Sequence, residues 1–157
     1  MPKTKELQGL WWDWLSTSER LLRSLYEQTA ALTLRDAERV ERIQPELDGM
    51  LHKMREIDER AAKSAKELAE SLGATPNLRG LVGCLEKAEG QQLQALANRV
   101  TVAARNVQHV LDKNRALIEN ELRYVNGTIA LIAKVAGEQK QGFENTPTAA
   151  ILVDHAA

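Results

Sequence analysis

Residues 107 to 135 read VQHVLDKNRALIENELRYVNGTIALIAKV, and this stretch decides the fold. Its apolar side chains Val107, Leu111, Ile118, Leu122, Val125, Ile129 and Ile132 recur at steps of three, four and seven, the repeat of one helix face rather than the alternation of a strand. The rhythm reaches back through Leu93, Leu96 and Val100, with Gly127 as its one helix breaker. It predicts one helix from about Gln91 to Ala136, near ~70 Å at 1.5 Å per residue. Asn114 interrupts the apolar line, and a polar residue in such a place usually fixes register at some cost in stability. A second row runs beside the first through Leu117, Tyr124, Leu131 and Val135. Two rows exceed what one neighbouring helix buries.

Upstream, Leu7, Trp11, Trp14, Leu21, Leu25 and Leu32 form another helical stripe, interrupted by Ser18 and Gln28 and widened by Leu10, Leu15 and Leu22. A helix is predicted over Lys5 to Leu32. Thr33 followed three residues later by Asp36 has the form of a capping box and marks a boundary. The second long helix then carries Val40, Ile43, Leu47, Met50, Met54, Ile57, Ala61, Leu68 and Leu72, and ends at Gly73 with Pro76 beyond. Pro45 inside it predicts a kink. Leu78, Leu81, Val82 and Leu85 make a short helix capped by Asn77. Beyond Gly137 the chain turns to Gln, Gly, Asn, Thr and Pro before one apolar string, Ala149 to Val153. That composition predicts a flexible tail.

The fold expected is therefore all-α: an elongated antiparallel bundle of three long helices plus one short helix over residues 1–136, with a tail over 137–157. Short turns make consecutive helices antiparallel, so the long ones run up, down and up. With a first helix of only ~28 residues, the short helix becomes the filler below it, and the last helix outruns its partners by ~12 Å. The chain has 157 residues, 43% apolar and 27% charged, with 4% aromatic, which suits one helical domain and disfavours strands. A net charge of −1 offers no footprint for a phosphate backbone, so nucleic acid is not expected as a partner. The single cysteine, Cys84, forbids an internal disulfide and fits a reducing compartment. No apolar run approaches the ~20 residues of a membrane span, so no insertion is expected and the chain reads as cytoplasmic.

Chemistry finds no seat in this sequence. The Glu-x-x-His pairs of di-iron bundles are absent before His52 and His109. Asp48, His52 and Glu56 share a helix face at i,i+4 spacing, but on so charged a helix they read as an ion-pair ladder, and neither metal nor cofactor is assigned. Arg105 and His109 miss the spacing of helical ribonucleases. No phosphate-binding loop and no activated nucleophile is present, so no enzyme is expected. Cys84 reads as a small buried hydrophobe. Trp11 and Trp14 fit the core stripe, whereas Trp12 lies about 100° off it and either plugs a groove or faces a partner.

The residues resemble the FlgN-type flagellar export chaperones. The likeness is carried by Glu27 with Ala31 and Leu32, Asp36 opening the next helix, Arg60 ahead of Leu68, Leu72 and Gly73, and Asn114, Leu117, Ile118, Leu122, Tyr124, Val125 and Asn126. It spans roughly Leu7 to Val135; Pro45 and the tail have no counterpart in it. The resemblance implies a cytosolic chaperone that binds the C-terminal segments of hook-filament junction proteins before secretion, with the flagellar export apparatus as a further partner. Such segments would be amphipathic helices, held by an apolar groove through i, i+3, i+4, i+7 anchors. The candidate groove residues are Leu117, Ile118, Leu122, Val125, Ile129 and Ile132, with Trp12 as a separate partner surface. The alternative is a coiled-coil adaptor that self-associates through the same stripe, and the oligomeric state stays open between the two.

Overall fold

The computed structural model describes residues 2 to 139. Four helices account for nearly all of it: α1 (Pro2–Thr33), α2 (Ala37–Leu72), α3 (Leu78–Cys84) and α4 (Lys87–Gln139). Among the described residues there is no strand, and the expected three long helices and one short one are present in the expected order. The string Ala149 to Val153, with the rest of the predicted tail from Lys140, lies outside the described residues. Packing divides the chain into two units, Met1–Asp112 and Lys113–Ala157.

The first unit is organised by its corners. At the end of α1 the Asp36 amide donates to the Ala31 carbonyl at 2.9 Å and the Arg35 amide to Leu32 at 3.2 Å, with Arg35 left-handed at φ 55°. This is a Schellman motif built without glycine. Asp36 also opens α2, its carboxylate accepting from the Arg39 amide at 3.2 Å. The expected capping box is therefore corrected: the Thr33 hydroxyl donates to the Thr29 carbonyl at 2.8 Å inside α1, and Asp36 alone caps. A threonine in a helix's last turn finds a carbonyl one turn behind it sooner than an amide ahead. The far end of α2 repeats the motif with Gly73 at φ 63°, Ala74 donating to Ala69 at 2.9 Å. Helix α2 continues through Pro45.

Helices α1 and α2 form an antiparallel hairpin. Gln28 donates to Gln44 at 3.3 Å, Trp14 hydrogen-bonds Asp58, and Leu7 shares a cluster with Leu68. The numbers rise on one helix as they fall on the other. The α4 residues of this unit run the same way as α1: Leu93 packs with Leu7 and Leu10, and Val107 and Val110 with Leu21 and Leu25. Two clusters result, one around Trp14, Leu21, Leu47, Met54 and Val107, the other around Leu7, Leu68, Leu81 and Leu93. Ser18 and Thr17 are buried in the stripe and return their hydroxyls to the carbonyls of Leu15 and Asp13, at 2.7 and 2.8 Å. Local hydrogen bonds thus make these polar interruptions tolerable.

Several sequence expectations are shifted. Helix α1 begins at Pro2, where a proline loses nothing because the first turn has no partner for its amide. Helix α3 packs on α2, and its Leu81 joins the cluster that holds Leu7, Leu10 and Leu68. Helix α4 begins at Lys87 rather than Gln91, and Gly90 in its first turn is a contact residue: a Cβ there would stand 3.1 Å from the Val82 carbonyl oxygen. Cys84, expected inside, is exposed. Leu81 and Leu85, about one turn apart, take the inward positions and leave it outside.

Candidate functional site

In the second unit the described backbone is the part of α4 from Lys113 to Gln139. At 100° per residue its aliphatic side chains, from Leu117 to Val135, occupy about half of the helix circumference. Arg123, Lys134, Glu119 and Glu138 fall on the other half, and of the charges between Leu117 and Val135 Glu121 alone lies within the aliphatic half. Of the six predicted groove residues, Leu122, Val125 and Ile132 are exposed, Ile132 to 61%, while Leu117, Ile118 and Ile129 are half-buried. The neighbouring row is more open: Leu131 is 62% exposed and Tyr124 55%, with Val135 exposed as well. These three belong to the candidate face although the site prediction left them out. The double row was the signal for them. Asn114, at 2% exposure, is buried.

In the first unit Trp12 is 48% exposed on α1, and the Arg99 guanidinium of α4 stacks over its ring at 4.7 Å from the centroid. The two flank an open groove of about 500 Å³ between α1 and α4, floored by Leu15, Leu22, Val102 and Ala103. The core stripe of α1 is filled by Leu10 and Trp14, with Trp11 half-buried against the lower cluster, so Trp12 is left to the groove. Indole over aliphatic with a cation stacked above is a favourable surface arrangement, on the order of 1 kcal/mol.

Residues 1–143 match the model of the family described as FlgN protein. The chain belongs to the FlgN family. FlgN proteins are chaperones of flagellar export, and that is the class of this molecule. No curated protein and no solved structure matches it significantly. Among the described residues of this FlgN chain, no helix is long and apolar enough to cross a membrane.

The groups that were weighed for chemistry lie apart in the FlgN fold. His52 Nε2 pairs with Glu56 Oε1 at 3.1 Å on an exposed face of α2, while Asp48 accepts from Gln44 at 2.9 Å. Arg105 and His109 are both exposed on α4. Among the described residues no three His, Cys, Asp or Glu side chains converge as metal ligands. Among the perturbed carboxyls, loss of hydration pushes Asp58 above its ordinary range, and the Trp14 indole N–H that donates to it pulls the other way. That pair ties α1 to α2 at mid-hairpin.

Proposed function

We propose that this FlgN-family chain holds the C-terminal amphipathic segments of hook-filament junction proteins in the cytoplasm before their export, and that Leu117, Ile118, Leu122, Val125, Ile129 and Ile132 are the seat. The exposure of Leu122, Val125 and Ile132 on one face of the helix carries this reading. An amphipathic client helix would lay its anchors along these rows, each well-buried Leu or Ile contributing roughly 1.5 to 3 kcal/mol before ordering costs. Micromolar affinity requires only about 8 kcal/mol in total, so a handful of anchors suffices. No cofactor enters the holding step, and no catalysis is assigned. Delivery to the flagellar export apparatus would follow once the client is released there.

Replacing Leu122 or Ile129 with Asp places a charge in the middle of the face. The expected result is loss of binding to fluorescently labelled C-terminal peptides of junction proteins, with the helix content of the first unit unchanged by circular dichroism. Capture that persists in a folded variant would move the seat elsewhere. A wild-type chain that sediments as a stable dimer and ignores those peptides would favour the self-associating adaptor.

A further inference from the structure

The groove between α1 and α4 in the first unit has the geometry of a missing helix. On α1, Trp12, Leu15, Glu19, Leu22 and Tyr26 follow one another at steps of three and four, a stripe separate from the buried one through Leu7, Trp14, Leu21 and Leu25. On α4, Arg99, Val102 and Asn106 face the same groove at the same spacing. Two parallel helices displaying such rows side by side form the holes into which the knobs of one further helix fit. Trp12, Val102 at 55% exposure and, at the end of the α1 stripe, Tyr26 at 59% are left uncovered by this packing.

The charges of the groove state what the occupant carries. Arg99 meets the Trp12 ring and no carboxylate, and Glu19 meets no cation, among the described residues. Arg99 stands at the Trp12 level, and Glu19 is seven residues further along α1, about 10 Å. A helix lying in the groove satisfies both with an acidic and a basic side chain seven positions apart, flanking its apolar stripe. Two copies paired through their α1 stripes do not fit this description. Glu19 is the middle residue of the α1 stripe, so two copies joined antiparallel by it bring two carboxylates face to face at the twofold axis. The chain's own sequence after Gln139 does not fit either: its one Lys or Arg is Lys140, and the residues seven positions from it, Ala133 and Pro147, are not carboxylates.

We propose that this groove docks one amphipathic helix, of about three turns, from another protein, with a carboxylate on Arg99 and a cation on Glu19, completing a four-helix arrangement. The site is independent of the client seat on the second unit, and its occupant is chosen by charge as well as by apolar area.

The test uses the full chain and two labelled, end-blocked helical peptides of about 16 residues with the same leucine and alanine stripe. One carries a glutamate and a lysine seven positions apart; the other carries lysine at both places. Fluorescence anisotropy with wild-type protein is expected to show saturable binding of the Glu/Lys peptide, at least ~10-fold tighter than the Lys/Lys peptide. In Arg99→Glu both groove charges are negative, so the preference reverses whichever way the helix lies. Binding of junction-protein peptides stays unchanged in that variant, which separates this site from the client seat. No saturable binding of the Glu/Lys peptide, or an unaltered preference in Arg99→Glu, overturns the proposal. So does a wild-type dimer in sedimentation that Trp12→Ala dissolves, since the occupant would then be a second copy.

Discussion

Leu21 and Ile132 are side chains of equal size in opposite circumstances, and truncating each to Ala separates folding from capture. Leu21 is 0% exposed within the upper cluster of the first unit, whereas Ile132 is 61% exposed on the second. Removing Leu21 forfeits its whole transfer energy and leaves a cavity, about 3 to 4 kcal/mol, which lowers the melting temperature on the order of 10 °C for a chain of this length. Ile132 has only about two-fifths of its surface covered, so its truncation costs under ~1 kcal/mol of stability. The uncovered three-fifths is what a docked client would bury, about 1 to 2 kcal/mol, or roughly 5- to 30-fold in Kd. Thermal unfolding followed at 222 nm and anisotropy titration with a labelled junction-protein C-terminal peptide read the two quantities separately. The expected pattern is crossed: Leu21→Ala is hurt in stability and, while folded, captures normally; Ile132→Ala is hurt in capture alone. An Ile132→Ala protein that melts as early as Leu21→Ala while keeping full affinity would refute the reasoning, because Ile132 would then be core.

The two helix corners predict changes of opposite sign. Arg35 is left-handed at φ 55°, so Arg35→Gly relieves its Cβ and raises stability by about 1 kcal/mol, while Gly73→Ala at φ 63° loses a similar amount although nothing stands within 4 Å of the new methyl; urea melts of both variants check this. Asp58 predicts a pH effect. Its folded pKa is raised, so its contribution to stability is greatest below the unfolded carboxylate range and is lost as pH rises through the folded value. Asp58→Asn keeps an acceptor for the Trp14 N–H without the partly desolvated charge. It is expected to melt slightly higher than wild type at pH 7, by a few tenths of a kcal/mol after solvent screening, with the advantage gone below about pH 4. Equal melting curves at both pH values would show that hydration of Asp58 is not lost on folding.

Much of this was legible in the sequence because long helices write a long periodic signal. The turn at Gly73 and the cap at Asn77, whose side chain accepts from the Gly80 amide at 2.7 Å, were readable from residue type alone. What was not readable depended on neighbours distant in sequence. Gly90 reads as a weak helix former, yet Val82 sits close enough that a Cβ there would be crowded, and the helix passes straight through it. Cys84 reads as buried by composition, and it is exposed because Leu81 and Leu85 compete for the same inward direction. Trp12 could be placed off the core stripe by angle, but the cation above it came from α4, 87 positions away. On the candidate face the double row gave the residues, and the degree of exposure needed the fold: Leu131 and Tyr124 stand further out than Leu117, Ile118 or Ile129.

Asp36 finishes α1 with its amide and starts α2 with its carboxylate, so the corner holds no spare residue. One inserted residue between Thr33 and Ala37 would turn α2 by about 100° and swing Met50, Met54 and Ile57 out of their seats. The corner is in effect the gauge mark against which the hairpin is phased. This joint accepts exchange of side chains but no added length.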